Sequence, residues 1–237
     1  MVLLGTLVNG LAIIIGTVIG LIFTNIPEKI KTTALQGIGL VIVLIGIQMA
    51  IQADNIILIL LSILVGAIIG AGVQLEDKLN LVGQKLEKRF NEKGDSNITE
   101  GFITATLIFV IGAMAIVGAL DGGLRGDHEV LFTKSFLDGF LAIVLTTTLG
   151  YGVIFSVIPV VLYQGTIALL AVQINKWLPA SILDGFINEV TAIGGLLILA
   201  IGLNILNITK IKIGDFLPAI FVFILFYFGY GFFVNMY

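Results

Sequence analysis

The sequence predicts an all-α integral membrane protein of about eight transmembrane helices, and three observations lead to that fold class. Of the 237 residues, 58% are hydrophobic and only 11% are charged, whereas an average soluble domain has about 25% charged residues. Several apolar runs approach or exceed the roughly 20 residues that cross a bilayer as a helix. Charged, proline-containing or glycine-rich segments separate those runs. A single transmembrane domain over residues 1–237 is therefore expected.

Eight spans follow from these runs in chain order. The first begins almost at Met1, and it is interpreted as a retained helix because it has neither a basic leading region nor a small-residue cleavage pattern. Pro27, Asp54 and Pro179 are among the residues that separate the spans. The predicted spans are residues 3–24, 33–52, 56–74, 102–120, 136–148, 153–173, 188–206 and 216–233.

The distribution of basic residues predicts the orientation of the chain. Nine of the twelve Lys and Arg residues fall on one side of the predicted membrane, and the other side carries only Arg125, Lys134 and Lys176. Cytoplasmic loops carry an excess of Lys and Arg. Both termini are therefore expected outside the cytoplasm, and the polar loop at residues 121–134 is expected to be external.

The longest polar segment, residues 76–100, lies on the basic, cytoplasmic side. It is interpreted either as an amphipathic helix on the inner membrane face or as a solvated helical connector. Apolar residues recur at helical spacing at its start: Leu75, Leu79, Val82, Leu86 and Phe90.

An internal repeat predicts inverted topology. GLVIVLIGIQ at residues 39–48 matches GLLILAIGLN at 195–204, and LVNG at 7–10 matches LYQG at 162–165. The first copy then covers residues 1–75 (spans one to three) and the second covers 153–237 (spans six to eight). The copies are offset by five crossings, an odd number, so they have opposite orientations in the membrane. Such inverted repeats are the usual architecture of secondary transporters. Chance similarity of glycine-rich aliphatic helices is the alternative.

Residues 101–152 are interpreted as inserted spans with the external loop, and they lead into a short central helix pair. Only 37 residues, none charged, separate Asp138 from Lys176, where two spans and a turn need about 42 or more. Spans five and six are therefore predicted to be short, and either broken within the membrane or formed by two tilted helices. Asp138 is expected at the external start of span five, where it would cap a helix.

Uncharged polar side chains are the main candidates for a solute or ion pathway. Their alternative role is interhelical hydrogen bonding, worth about 0.6–2 kcal/mol each. Glu189 is the best intramembrane carboxylate, or else a helix-start anion, and the scarcity of such charges argues against a carboxylate-driven proton or sodium exchanger. The pathway candidates are Asn9, Gln48, Thr146, Thr147, Thr148, Ser156, Gln164, Asn188, Glu189 and Asn204, and the external gate candidates are Asp121, Arg125, Asp127 and Asp138.

The composition excludes several other classes of site and partner. The chain has no cysteine and one histidine, so disulfides, thiol catalysis and a multi-histidine metal site are excluded, and no metal or cofactor is expected. His128 is predicted to be a solvated loop residue. Basic residues form no stripe with aromatics, which argues against nucleic acid. The expected partners are membrane lipid and an unknown small solute or ion.

Two pairs of glycines leave the oligomeric state open. Gly16 with Gly20, and Gly66 with Gly70, have the spacing that lets helices approach closely. Each pair is interpreted either as intramolecular packing or as a homodimer seam.

Three segments carry a resemblance to a known family: GDHEVLFTKSFLDGF at 126–140, LGYGVIFSVIPVVLYQG at 149–165 and EVTAIGGLLILAIGLNIL at 189–206. They resemble the YdfK/YqgA-type bacterial membrane proteins, over essentially the whole chain. The resemblance implies a multi-span protein of the bacterial plasma (inner) membrane. Because that family is a domain of unknown function, it supplies no site residues.

The sequence thus predicts a transporter or channel for a small solute or ion. The first alternative is a non-transporting scaffold or sensor that binds a partner through the helix at residues 75–97 or through the external loop. An intramembrane enzyme acting on lipid-linked substrates is disfavoured, because the chain offers no nucleophile–base pair and no metal-ligand set. The protein is therefore not expected to be an enzyme.

Overall fold

The computed structural model describes residues 1–23, 28–78, 81, 98–177 and 180–234, and the regular structure within those ranges is helical, without strands. Of residues 76–100, the segment predicted to lie on the cytoplasmic side, residues 76–78, 81 and 98–100 are helical, and the remainder lies outside the described residues. The helices are α1 (Leu4–Ile22), α2 (Glu28–Ala50), α3 (Ile56–Val73), α4 (Ile98–Val110), α5 (Ala113–Leu124), α6 (Glu129–Leu149), α7 (Val157–Trp177), α8 (Ala180–Ile205) and α9 (Pro218–Val234), with 3-10 helices at Gly150–Ser156 and Ile213–Phe216.

Four helical stretches of the described chain are long and apolar enough to cross a membrane, and a fifth is added if a bent pair counts as one span. The four are Leu4–Ile22, Ile56–Val73, Glu129–Lys176 and Ile182–Ile205, and the bent pair is Ile98–Val110 with Met114–Leu124. Gln36–Ala50 and Ile213–Tyr227 are shorter apolar helices.

α1 illustrates why these helices suit lipid rather than water. Its buried face consists of small and polar residues, while aliphatic residues such as Leu11, Ile15 and Val18 are each more than 50% exposed. A water-soluble helix has the opposite arrangement, with its apolar stripe on the core. The buried residues recur every three or four positions: Gly5, Thr6, Asn9, Gly10, Ile13, Gly16, Thr17 and Gly20.

The chain forms two compact units. Unit 1 comprises Met1–Ile38 and Val82–Ala180, and unit 2 comprises Gly39–Leu81 and Ser181–Tyr237.

In unit 1, α1 and α6 pack side by side in the same direction. A Cβ added at Gly5 would lie 2.8 Å from Leu131 Cβ, and one added at Gly20 would lie 2.7 Å from Thr146 Cβ. The residue numbers at these contacts increase together along both helices, so the helices are parallel. Between them, Gly16 lies against the backbone of Gly139, so the two helices touch without an intervening side chain.

α7 packs against the same α1 in the opposite direction. Near the start of α1, Leu3 Cδ2 is 3.7 Å from a Cβ added at Gly165, while Gly10 lies against Val157 and Val161. As residue numbers increase along α1, the residue numbers of their contacts on α7 decrease, so the two helices are antiparallel. Since α6 runs with α1 and α7 runs against it, the 3-10 segment between them reverses the chain.

The prediction that spans five and six form a short pair is wrong. α6 begins at Glu129 rather than near residue 136, so it contains both Lys134 and Asp138, and it extends over 21 residues. α7 also has 21 residues, and at 1.5 Å per residue each helix is about 31 Å long. Asp138 consequently does not cap a helix, because nine helical residues precede it.

The bent span lies elsewhere, in the stretch predicted as span four. α4 and α5 meet at an angle of 58°. Gly112 between them has φ 142° and ψ 149°, a conformation that essentially only glycine adopts. The glycine at this position therefore separates one apolar run into two short helices.

Unit 2 contains a reciprocal contact between α2 and α8. A Cβ added at Gly39 would lie 3.3 Å from the carbonyl oxygen of Gly202, and one added at Gly202 would lie 3.0 Å from that of Gly39. The same exchange occurs between Gly46 and Gly195, at 2.8 Å in each direction. The helices are antiparallel, and each backbone fills the space that a side chain of the other would need.

α3 and α9 form the other helix pair of unit 2, and two acidic residues fasten its end. Gly66 lies against Ala219 and Gly70 against Asp215, so the helices are antiparallel. The Glu76 N–H donates to Asp215 Oδ1 (3.0 Å), and the Gly214 N–H donates to Glu76 Oε2 (2.6 Å). Each carboxylate thus satisfies a backbone donor in the other's segment.

Both glycine pairs that the sequence offered as seams are covered within the chain. Gly16 and Gly20 lie against α6, and Gly66 and Gly70 lie against α9 and the segment before it. The structure therefore uses these faces for packing inside each unit. A homo-oligomer stays a prediction.

Candidate functional site

A buried ion pair forms the centre of a polar cluster in unit 1. Lys134 Nζ lies 2.9 Å from Asp138 Oδ1 and 2.8 Å from its Oδ2. The residues are 6% and 3% exposed. They are four positions apart on α6, which places both side chains on one face of the helix.

Two amides from neighbouring helices complete the cluster. Asn9 Nδ2 on α1 donates to Asp138 Oδ2 (3.0 Å) and to Gln164 Oε1 on α7 (3.4 Å). Both amides are 0% exposed. The close approach of α1 to α6 and α7 at glycine positions brings these short side chains within hydrogen-bonding distance.

Two polar atoms of this cluster have no partner among the described residues: Asn9 Oδ1 and Gln164 Nε2. A buried donor or acceptor without a partner costs about 1–3 kcal/mol. The cluster therefore presents one acceptor and one donor that a bound polar molecule can satisfy.

The cluster lies near the middle of α6. Nine residues of α6 precede Asp138 and eleven follow it, so its Cα is about 14 Å from the start of the helix. The hydrocarbon core of a bilayer is about 30 Å thick. Asp138 therefore lies near the middle of a helix about as long as the hydrocarbon core is thick, and its assignment to an external gate stays a prediction.

The hydroxyl groups predicted to line the pathway are mostly engaged with their own helices. Thr147 Oγ1 donates to the carbonyl of Val144 (2.7 Å). Thr148 and Ser156 donate in the same way, to Leu145 (3.0 Å) and Val153 (2.7 Å). Thr146 is 0% exposed and its hydroxyl has no partner among the described residues, but it is eight residues further along α6 than Asp138. The structure therefore does not bring the threonine run into the cluster.

A second polar group lies in unit 2 and contains two predicted residues, Asn188 and Glu189. Glu189 is 3% exposed, and its Oε1 accepts a hydrogen bond from the Asn55 N–H (2.6 Å). Asn188 Nδ2 donates to Asp54 Oδ2 (3.4 Å). Asp54 and Asn55 immediately precede α3, and Asn55 is its N-cap.

Asn204 and Gln48, which match each other in the predicted repeat, have different surroundings. The Asn204 side chain donates to the Ile211 carbonyl (2.7 Å) and accepts from the Ile211 N–H (2.9 Å) and the Thr209 hydroxyl (2.8 Å). These bonds hold the turn between α8 and α9. The carbonyl of Gln48 accepts from Gln52 Nε2 (3.4 Å). Neither residue joins the two polar groups described above.

The external gate candidates other than Asp138 surround a short connection between α5 and α6. Arg125 and Asp121 approach to 3.8 Å, with side chains 75% and 25% exposed. Asp127 Oδ1 accepts from the Glu129 N–H (3.0 Å), at the start of α6. The prediction that His128 is solvated is wrong, because it is 8% exposed and its Nε2 is 3.0 Å from the carbonyl oxygen of Met1.

Sequence reasoning missed Lys134, which it assigned to the external loop. The signal was present as the spacing Lys134–Asp138, since opposite charges four residues apart can pair on one helix face. Two charges at that spacing can enter a membrane as a paired, neutral unit.

Within the part of the chain that the structure describes, apolar helices enclosing buried polar groups define a helical membrane protein. The chain belongs to the family described as "Protein of unknown function (DUF554)", whose model matches residues 4–228. It is 35% identical over 223 residues to the "Uncharacterized membrane protein YdfK" of Bacillus subtilis (strain 168), a match covering 92% of this chain and 93% of that protein. It is 32% identical over 222 residues to the "Uncharacterized protein YqgA" of Escherichia coli (strain K12), with 92% and 93% covered. No solved structure matches the chain.

Proposed function

We propose that this protein transports a small polar solute across the bacterial inner (plasma) membrane through a site centred on Asp138. The observation that carries the proposal is the buried Lys134–Asp138 ion pair at mid-helix depth, with Asn9 and Gln164 beside it. Ionisable residues inside transmembrane segments are costly to keep there and mark substrate or ion pathways. Joining helices requires no charge, since amides and small residues suffice.

The charges of the cluster favour a solute that is neutral overall. Lys134 and Asp138 cancel each other, so a solute with net charge would leave an uncompensated charge in the membrane. A zwitterion can replace both partners at once, with its anionic group on Lys134 and its cationic group on Asp138. A polar uncharged solute can use the free Gln164 Nε2 donor and Asn9 Oδ1 acceptor instead.

The proposal includes eight crossings arranged as an inverted repeat. The eight are α1, α2, α3, the bent α4–α5 pair, α6, α7, α8 and α9. Two observations support the repeat. In unit 1, the matching residues Asn9 and Gln164 are hydrogen-bonded and lie on antiparallel helices. The repeat aligns Gly39 with Gly195 and Gly46 with Gly202. In unit 2 it therefore relates the Gly39–Gly202 contact to the Gly46–Gly195 contact. Secondary transporters place their sites at the interface of such repeats.

The predicted orientation belongs to the same proposal. Lys134 lies inside α6 and no longer counts as a loop residue. The nine basic residues of the cytoplasmic side then face only Arg125 and Lys176. This stronger bias supports an orientation with both termini outside the cytoplasm.

The direct test is solute entry into proteoliposomes that contain the purified protein. Osmotic swelling with glycine, glycerol and urea distinguishes a zwitterion from uncharged solutes. We expect Asp138→Asn and Gln164→Leu to reduce the protein-dependent rate at least about tenfold, a loss equivalent to roughly 1.4 kcal/mol of transition-state stabilisation.

Two matched variants control for general damage to the protein. Gln173→Leu makes the same change at an exposed position of α7, and Asp77→Asn makes it in a surface ion pair. Both should keep the wild-type rate. Swelling rates equal to those of protein-free liposomes for all three probes, or unchanged rates in both cluster variants, would reject the proposal.

A further inference from the structure

Glu189 is a buried carboxylate that packing in unit 2 satisfies only in part. Its Oε1 accepts the Asn55 N–H, but its Oε2 has no partner among the described residues although the residue is 3% exposed. The backbone of Asp54 also lies close to this carboxylate, but no group among the described residues hydrogen-bonds Oε2. The second oxygen is a charged ligand left available.

The surroundings of Glu189 add negative charge. The carboxylate of Asp54 lies close enough to repel that of Glu189. Asp184 lies near the start of α8, at the same end of the unit. The basic residues of unit 2 are Lys78, Lys210 and Lys212. All three lie beyond the opposite ends of α3 and α8, and α3 alone is about 27 Å long. No basic residue of this unit can therefore pair with Glu189.

The helix dipole does not compensate for this charge. The N-terminus of α3 supplies about half a positive elementary charge, and the Asn55 side chain already satisfies one of its donors, the Leu58 N–H (3.1 Å). Glu189 and Asp54 together carry two negative charges. The end of the unit stays net negative by more than one charge.

We propose that Glu189, together with Asp54 and Asn188, binds a monovalent alkali cation. Carboxylate and amide oxygens are ligands for hard cations. Dedicated divalent sites use more oxygen ligands, usually with several carboxylates, whereas the described residues bring no three His, Asp or Glu side chains together as metal ligands. The site consists of residues of unit 2 alone and does not depend on the proposed transport function.

The test measures cation binding rather than transport. Purified full-length protein in nanodiscs is titrated with radioactive sodium, with choline chloride keeping the ionic strength constant. We expect saturable binding, displaced by unlabelled Na⁺ and less readily by Ca²⁺. Glu189→Gln keeps a carbonyl oxygen for the Asn55 N–H but removes the charge. It should weaken binding at least about tenfold, because ligand charge sets affinity for hard cations.

Asp54→Asn should also weaken binding, and since Asp54 is exposed this variant tests the site even if Glu189→Gln does not fold. Asp77→Asn, an equal loss of charge at an exposed position beyond the opposite end of α3, should bind as wild type. Absence of saturable Na⁺ binding, wild-type binding in both site variants, or binding of Ca²⁺ alone overturns the proposal. Because flux is not measured, failure here is distinct from failure of the transport function.

Discussion

Asn9 and Gln164 are hydrogen-bonded to each other over 3.4 Å although they are 155 residues apart. They are the third residues of the similar tetrapeptides LVNG and LYQG. A residue can contact its own counterpart only close to the axis that relates the two, as in the isologous contacts of a two-fold dimer. In unit 1, the axis of the proposed repeat would therefore pass beside this pair, next to Asp138.

The packing of α1 against α7 predicts a specific disulfide. Gly10→Cys combined with Val161→Cys should cross-link, because a Cβ at Gly10 lies 2.9 Å from Val161 Cγ2, and disulfide-bonded Cβ atoms are about 3.5–4.5 Å apart. The chain has no native cysteine, so thiol labelling of the denatured protein after mild oxidation reports this bond only. Leu11→Cys with Val161→Cys is the control, because Leu11 is 56% exposed. Equal cross-linking of both pairs would contradict the packing of the Gly10 face of α1 against α7.

The Lys134–Asp138 pair predicts non-additive effects on stability. Lys134→Met and Asp138→Asn should each destabilise the protein by about 3–5 kcal/mol, because each leaves one buried charge unpaired. The double variant leaves no charge and should be more stable than either single variant. Thermal unfolding in detergent measures all four proteins of this cycle. Additive losses in the double variant would show that the two charges do not interact.

The reciprocal glycines of unit 2 predict opposite outcomes for one substitution. Gly195→Ala places a Cβ 2.8 Å from the Gly46 carbonyl oxygen and 2.5 Å from the Ala50 nitrogen, and such overpacking costs about 1–3 kcal/mol. Gly72→Ala has no atom within 4 Å of its Cβ. It should stabilise α3 by about 0.5–1 kcal/mol, because alanine loses less backbone entropy than glycine in a helix. The melting temperatures should therefore shift in opposite directions, and an unchanged or raised melting temperature of Gly195→Ala would disprove the close contact.

The orientation can be tested with single cysteines at exposed basic positions. The side chains of Arg125 and Lys212 are 75% and 63% exposed. Arg125→Cys should react with a membrane-impermeant maleimide added to intact spheroplasts, and Lys212→Cys should react only after permeabilisation. The reverse pattern would place both termini in the cytoplasm.

The sequence was sufficient for the helical membrane class and for two members of the unit 1 cluster. Asn9 and Gln164 were recognisable because an amide inside an apolar run has few partners there. Their meeting depends on which faces of α1 and α7 pack together, and glycine positions determine that contact. Asn204, chosen by the same rule, instead holds a turn through three hydrogen bonds. This role could not be predicted, because the sequence does not indicate how the chain folds back after α8.

The largest error came from treating charge as a marker of span ends. Lys134 and Asp138 neutralise each other four residues apart, which lowers the cost of burying either one, and a count of single charges does not register this. The early start and full length of α6 follow from that one interaction. The bend at Gly112 was missed for a related reason, since a single glycine in an apolar run leaves the hydropathy unchanged.

The glycines at the crossing of α2 and α8 limit how this part of the molecule can change during evolution. At most helix crossings, substitution by a larger residue on one helix can be offset by substitution by a smaller residue on the other. Here Gly39 and Gly46 meet Gly202 and Gly195, and all four are already the smallest residue available. A larger residue at one of them cannot be compensated by a smaller residue at the other three. This crossing can therefore accept substitutions at neighbouring positions but not at the four glycines in contact.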